Sequence, residues 1–318
     1  MKILITGSSG NIGYFLCKYF TGKHIFTVGV DITPNPVWQG PRKYFNFYKE
    51  DILNKSAIEA ILKKEKPTHI IHLAYLMKSL HNQKKEYEID VQGSKNIVEI
   101  SNKIKSVKQF IEFSSTSAYG AKPDNKKWIK EVTPLCPGEY RYGINKKIVE
   151  DFIKGYRGRK DLKFVIVRMC TAIGPSEYKK GGLVELIVKS PFLIAYDGLY
   201  PELQLLHEYD LTQLIHKIIM DKNIKGIFNL CPDTYSSLKE LVPDKKFINL
   251  PISIVKNITG VLWNLRISSF MPAAIDVSAY PIIADPIKLK QRYNYKFKFT
   301  TLSGFKDAVR GMKEKQII

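Results

Sequence analysis

The sequence predicts an α/β chain: a doubly wound parallel sheet, followed by a smaller C-terminal lobe. Three observations carry this. Short β-branched or aromatic runs recur through the first 170 residues. Segments with apolar residues at helical spacing separate them. The runs are apolar throughout, as strands buried on both faces are, and strands alternating with helices make βαβ units and a parallel sheet.

The elements follow in order. Strands are expected at KILIT (2–6), HIFTVGV (24–30), KYFNFY (43–48), THIIHLA (68–74), KQFIEFSS (108–115) and KFVIVRM (163–169). Helices are expected at Asn11–Phe20, Lys55–Lys64, Glu86–Ser101 and Tyr142–Ile153. Residues 1–170 thus read as one nucleotide-binding unit. Beyond them Gly174-Pro175 and Gly181-Gly182 break the rhythm. A helix at Asp210–Met220 and a strand at GIFNL (226–230) bring about 204–232 back to the sheet. The rest of 171–318 reads as the smaller lobe. Its segment Ile254–Ile267 is amphipathic to mostly apolar, and core packing is the first expectation, with a lid or membrane-touching helix as the other.

Composition narrows the function classes. No apolar run reaches the roughly 18–20 residues that cross a bilayer, so integral membrane insertion is not expected. The start of the chain does not read as a signal peptide, because a glycine motif stands where its apolar stretch should continue. Cys17, Cys136, Cys170 and Cys231 are scattered, which suggests neither a zinc site nor a disulfide framework. A reducing cytoplasm is the expected compartment. The net charge of +20 comes from 42 Lys and only 8 Arg spread along the chain. That pattern reads as a solvated surface, with no specific nucleic-acid partner expected. Loose attraction to an anionic membrane surface stays open, and would be salt-sensitive.

T-G-S-S-G-N-I-G, residues 6–13, follows the first strand and opens the first helix. Gly7 permits a tight turn, and Gly10 lets the backbone approach a pyrophosphate. Gly13 allows close helix–sheet packing, while Ser9, Asn11 and Ile12 bring backbone N–H groups to the helix start, which favours an anion. Asp31 ends the second strand, 18 residues after Gly13. Its carboxylate can accept from a ribose diol and would repel a 2′-phosphate. No Lys or Arg follows at Ile32 or Thr33. The cofactor expected is therefore NAD in a Rossmann-like fold. Asp51 and Ile52 are placed either at the adenine edge or at an ordinary helix cap.

Y-G-I-N-K (142–146) sets Tyr142 and Lys146 one helical turn apart. A tyrosine is a poor base at neutral pH, and a neighbouring ammonium favours the phenolate. S-S-T-S-A-Y-G (114–120) clusters hydroxyls at the carboxyl end of the fifth strand, where ligands of open α/β sheets bind.

In this order, T-G-S-S-G-N-I-G, Asp31, H-L-A-Y (72–75), S-S-T-S-A-Y-G and Y-G-I-N-K resemble the extended short-chain dehydrogenase/reductases, in their NAD-dependent epimerase/dehydratase branch. D-V-Q-G-S-K-N (90–96), R-M-C-T-A-I-G-P (168–175), H-E-Y-D-L (207–211) and the closing Y-K-F-K-F-T-T-L-S-G-F-K-D-A extend the likeness over nearly the whole chain. The resemblance implies that Tyr142 is the acid/base and Lys146 its activator and ribose ligand. It implies Ser115, or Thr116 as second choice, as the catalytic hydroxyl. His72, Leu73 and Ala74 would line the cofactor channel. A homodimer is implied too, with Glu86–Ser101 and Tyr142–Ile153 as its faces.

The departures are informative. Relatives that use nucleotide sugars often place Asn where this chain has Thr171, and a phosphate-gripping Arg where it has Leu203. Lys179, Lys180 and Arg266 are candidate replacements. Thr116 and Ser117 stand where dehydratases often carry acidic residues, which disfavours dehydration. The usual Asn before V-x-G is Asp90. The leading expectation is an NAD-dependent, epimerase-like enzyme acting on a sugar, with a nucleotide sugar as substrate. The alternatives are a dehydrogenase or reductase of a less polar alcohol or ketone, and a non-catalytic NAD-binding protein with an RNA or membrane-surface partner.

Overall fold

A computed structural model of the chain describes residues 1–35, 38, 40–76, 79–178 and 181–318. The main sheet contains β1 (Lys2–Thr6), β2 (Phe26–Asp31), β3 (Phe45–Lys49), β4 (His69–His72), β5 (Gln109–Ser115), β6 (Lys163–Met169) and a seventh strand, Gly226–Leu230. The order is Gly226–Leu230, β6, β5, β4, β1, β2, β3, and every pairing is parallel.

Side chains alternate across the sheet, and both faces are covered. Ile3 and Ile5 of β1 pack on one face with Phe15, Leu16 and Phe20 of α1 (Asn11–Gly22), and with Leu211 and Ile215 of the Glu208–Met220 helix. Leu4 packs on the other face with Ile58 and Leu62 of α2 (Lys55–Glu65), and Ile97 and Val98 further along the chain. Two buried faces explain why the strands are apolar throughout. Truncating one of these fully buried side chains to alanine costs about 2–5 kcal/mol.

The chain moves from β1 outward to β2 and β3, then crosses back to place β4 on the other side of β1. The connections diverge there, leaving a crevice at the carboxyl ends of β1 and β4. The two loops meet closely: a Cβ at Gly7, whose φ is +70°, would lie 2.7 Å from the Ala74 nitrogen.

Two expectations change. The helix expected over Glu86–Ser101 is built from α3 (Gln83–Tyr87), a π-helical turn (Glu88–Gln92) and α4 (Gly93–Lys103). The wider turn places Asp90 in the interior, where its carboxylate accepts from the Leu76 N–H (2.9 Å) and the Asn145 amide (3.2 Å). Such turns often mark functional sites. The second change concerns Ile254–Ile267. It forms a helix (Ile252–Asn264), but Val255 is its one buried residue. Core packing is overturned, because its aliphatic side chains point outward.

The C-terminal part is built from short strand pairs, Thr171–Ile173 with Leu205–His207 and Leu193–Tyr196 with Phe247–Leu250. Its own core joins Ile173, Val184, Leu205, Leu238, Phe305 and Met312. All four cysteines are free thiols. Among the described residues no helix is long and apolar enough to cross a membrane.

Candidate active site

Gly7 turns the chain out of β1, and its N–H donates to Val30 O at 2.8 Å. Gly10 then caps α1 with no side-chain acceptor. A helix start leaves N–H groups without intrahelical partners, and the macrodipole favours an anion there. Asn11, Ile12 and Gly13 form this first turn. Gly13 is sterically obligatory: a Cβ would sit 2.2 Å from Gly7 O. At Gly10 a Cβ would meet Gly7 O at 3.3 Å, a tight contact but far milder than the one at Gly13. Asp31 lies beside this loop and accepts from the Ser9 N–H (3.0 Å) and the Thr33 N–H (3.2 Å). A carboxylate has about four acceptor positions, so it retains capacity for a diol. The cradle and the acid therefore fit a dinucleotide. A cavity of about 300 Å³ adjoins them, lined by Ser8, Ser9, Pro34, Trp38, Arg42 and Phe45. Trp38 stacks on Phe45 with ring centroids 4.0 Å apart. This aromatic wall was not foreseen, because Phe45 read only as a strand residue and no local pattern pairs it with Trp38.

Leu73 and Ala74 run across the glycine turn, their N–H groups donating to Thr6. His72 does not line a channel. Its ring is fully buried between Thr6 Oγ1 (2.7 Å) and Ser94 Oγ (2.9 Å), and burial lowers its pKa to about 3. Asp51 shapes the turn after β3 by accepting from the Leu53 N–H at 2.9 Å, while Asn54 is the residue that caps α2. Ile52 is buried under Gly93. Lys179 and Lys180 lie outside the described residues, and Arg266 is exposed beyond the Ile252–Asn264 helix.

Helix α5 (Arg141–Gly155) starts against the short 3-10 turn Thr116–Tyr119. The approach is so close that a Cβ at Gly143 would lie 2.8 Å from Ser117 O. This contact sets Tyr142 against the end of β5, beside Ser115. Ser115 Oγ also accepts from the Ser117 N–H (3.1 Å) and hydroxyl (2.8 Å). Ser114 points the other way and donates to Glu150 at 2.6 Å, as strand alternation requires. Thr116 is buried at the start of the turn.

Lys146 is also buried. Its amine donates to Phe113 O and Glu112 Oε1 (3.4 Å), under the Tyr75 ring, whose centroid is 3.6 Å away. The Tyr142 centroid is 6.0 Å from the amine. The sequence suggested that the ammonium lowers the Tyr142 pKa. Here the phenol is pushed up, chiefly by burial, and Ser115 is the group that pulls it down. The amine is engaged by Glu112 instead. Burial in turn lowers Lys146 and lifts Glu112 to about 7, while each charge favours the other. Asp90 is lifted by burial to about 6. Glu112, Asp90 and Tyr75 were not singled out for this pocket. Glu112 looked like a strand residue, and no local pattern places it below Lys146, 34 positions on.

Comparison with known proteins agrees with this fold. The model of the NAD dependent epimerase/dehydratase family matches residues 3–231, a span that takes in all seven strands of the main sheet. The chain is 24% identical over 325 residues to the CDP-paratose 2-epimerase of Salmonella typhi, covering 85% of this chain and 96% of that one. The Bordetella bronchiseptica enzyme WbmG, solved in complex with NAD, superposes with a TM-score of 0.74 at 19% identity over 99% of this chain and 94% of that one. The UDP-glucose 4-epimerase of Thermotoga maritima, solved with UDP-glucose, gives 0.76 at 22% identity over 99% and 100%. At such identities these two likenesses establish the fold.

Proposed function

Because the chain belongs to the NAD dependent epimerase/dehydratase family, we propose that it inverts a carbinol centre of a sugar, with a nucleotide sugar as the substrate class. It is an NAD-dependent enzyme of the epimerase type. The observation that carries the reading is the placing of Ser115 and Tyr142 at the carboxyl end of β5, with Lys146 one turn further on, beside the crevice that holds the glycine loop and Asp31.

In this reading the first turn of α1 holds the pyrophosphate and Asp31 the adenosine ribose. The Trp38–Phe45 cavity receives the adenosine end. NAD supplies a hydride acceptor that also returns the hydride. As a phenolate, the form that Ser115 favours, the Tyr142 oxygen takes the proton of the substrate hydroxyl and later gives it back. Ser115, beside that phenol, holds the substrate oxygen. Lys146, held by Glu112 and Phe113 O, would be the ligand of the cofactor's ribose. A positioned acid/base contributes about 10²–10⁴-fold to the rate. The smaller lobe would supply the sugar site.

The test uses purified protein. NAD content is measured by absorbance and fluorescence, then thermal unfolding is followed with NAD and a panel of nucleotide sugars. Retained NAD and a raised unfolding temperature with at least one sugar are expected. A panel without effect rejects the substrate class. Thr171, Leu203 and the outward apolar helix support a second reading, a dehydrogenase of a less polar alcohol. Net NADH accumulation with an alcohol panel would select it.

The reading includes a homodimer through the neighbouring α4 and α5, tested by sedimentation, and a cytoplasmic location, tested by cell fractionation.

A further inference from the structure

The Ile252–Asn264 helix is packed inside out. Ile254, Ile258, Val261 and Leu265 follow one another at i, i+4, i+7 and i+11, and form one stripe. They are 46%, 54%, 59% and 63% exposed. The opposite side holds the helix to the protein. Val255 is buried, Lys256 pairs with Asp276 at 2.7 Å, and Trp263 stacks on His81 at 3.8 Å. A surface helix of a globular protein turns its apolar stripe inward. Here the polar and aromatic contacts anchor the helix, and the aliphatic stripe faces away.

The apolar surface continues past both ends. At the N-terminal end the Tyr196–Leu199 turn is tied to the helix by the Ile252 N–H donating to Asp197 (3.4 Å), and Leu199 is 70% exposed. At the other end Ile267 and Phe270 are exposed. A patch this large on a soluble chain marks an interaction site.

Charge selects the occupant. From Asp244 to Asp276 the chain has four basic residues and two acidic ones, and Asp276 is taken up by Lys256. Lys246 and Arg266 stand exposed near the two ends of the helix. The whole chain carries +20. An aliphatic stripe bracketed by cations, on a helix too short to cross a bilayer, suits the headgroup–acyl boundary of an anionic membrane. We propose that the Ile252–Asn264 helix docks this protein in the plane of an anionic phospholipid surface.

The docked orientation has a consequence for the site. Trp263 lies 5.5 Å from the Arg141 guanidinium, and Arg141 donates to Leu80 O at 2.8 Å and precedes Tyr142. The anchored side of the helix therefore borders the catalytic pocket. Docking would bring that pocket near the membrane, whichever substrate it takes, so the proposal stands apart from the nucleotide-sugar reading.

The experiment is flotation of the full chain, with NAD present, on phosphatidylcholine vesicles with and without about 30 mol% phosphatidylglycerol. Flotation with the anionic vesicles alone, weakening with salt, is expected. A Val261→Asn/Leu265→Gln variant should lose at least about tenfold in partitioning, with unfolding temperature and NAD affinity unchanged because both side chains are exposed. A Val261→Trp variant gives a second readout: its added fluorescence should shift to the blue with anionic vesicles. No flotation of the native chain overturns the proposal. So does equal flotation of the polar variant, which would leave diffuse charge as the cause. If the polar variant abolishes self-association and vesicles bind neither form, the stripe covers a second copy instead. Binding of RNA, and not vesicles, lost in the same variant would assign it to nucleic acid.

Discussion

Tyr142 and Asp90 show how position changes the chemistry of a side chain. Tyr142 lies beside Ser115 and is desolvated, which disfavours the phenolate that proton abstraction needs. Removing its oxygen should leave binding intact and remove proton transfer. Turnover of Tyr142→Phe is expected to fall about 10²–10⁴-fold, with NAD affinity changed less than a few-fold by titration. Turnover equal to the native enzyme would exclude Tyr142 as the acid/base. Asp90 has a pKa raised to about 6 by burial. A group raised in the folded state stabilises below its unfolded pKa, and that stability is lost as pH rises through the folded value. The window therefore runs from about pH 4 to about pH 7. Across it the native chain should lose up to about 3 kcal/mol relative to Asp90→Asn. Denaturant unfolding of both proteins at pH 4.5 and 7.5 measures this, and parallel pH profiles would show that Asp90 is ionised throughout.

The glycine loop and α1 are one element, and its two central glycines have different duties. Gly13 is packed against the Gly7 carbonyl and the Ser8 backbone, so an added Cβ collides with atoms that cannot move aside. A Cβ at Gly10 would make a far milder contact, and its glycine lets the backbone approach a pyrophosphate. Gly13→Ala should unfold earlier by about 2 kcal/mol or more. Gly10→Ala should keep its stability within about 1 kcal/mol and lose NAD affinity at least about tenfold. Thermal unfolding without NAD and calorimetric titration with it separate the two. If both variants behave alike, the division of labour is wrong. The α3–α4 segment makes a related point. Apolar periodicity announced a helix, but the π-helical turn depends on Asp90 reaching Leu76 and Asn145, contacts that a local pattern does not contain.

Across the whole molecule, the sheet is completed by residues that come late in the chain. The strand Gly226–Leu230 pairs with β6, and the Glu208–Met220 helix covers one face with Leu211, Leu214, Ile215 and Ile218. A buried network locks this together. Arg168 binds Glu150 at 2.7 Å and the Tyr119 hydroxyl at 3.0 Å, and Tyr119 donates to Asn229 at 2.7 Å. A fragment of residues 1–170 would expose the β6 edge and half of one core, and take Asn229 away from the buried Tyr119 hydroxyl. It should show no cooperative unfolding transition by circular dichroism. A cooperative transition with NAD binding retained would show that the first 170 residues fold alone.

The alternation of strands and helices, the glycine loop with Asp31, and the pairing of Tyr142 with Lys146 could all be read from the chain. Each depends on spacing within one or two elements, where periodicity and backbone sterics act locally. Tertiary structure decided the rest. Lys146 meets Glu112 and Tyr75 rather than the Tyr142 oxygen, His72 is a buried bridge rather than a channel wall, and the 254–267 segment turns its aliphatic stripe outward. Burial and long-range pairing set these, because an ionisable group or an apolar stripe has no direction until the elements around it have packed.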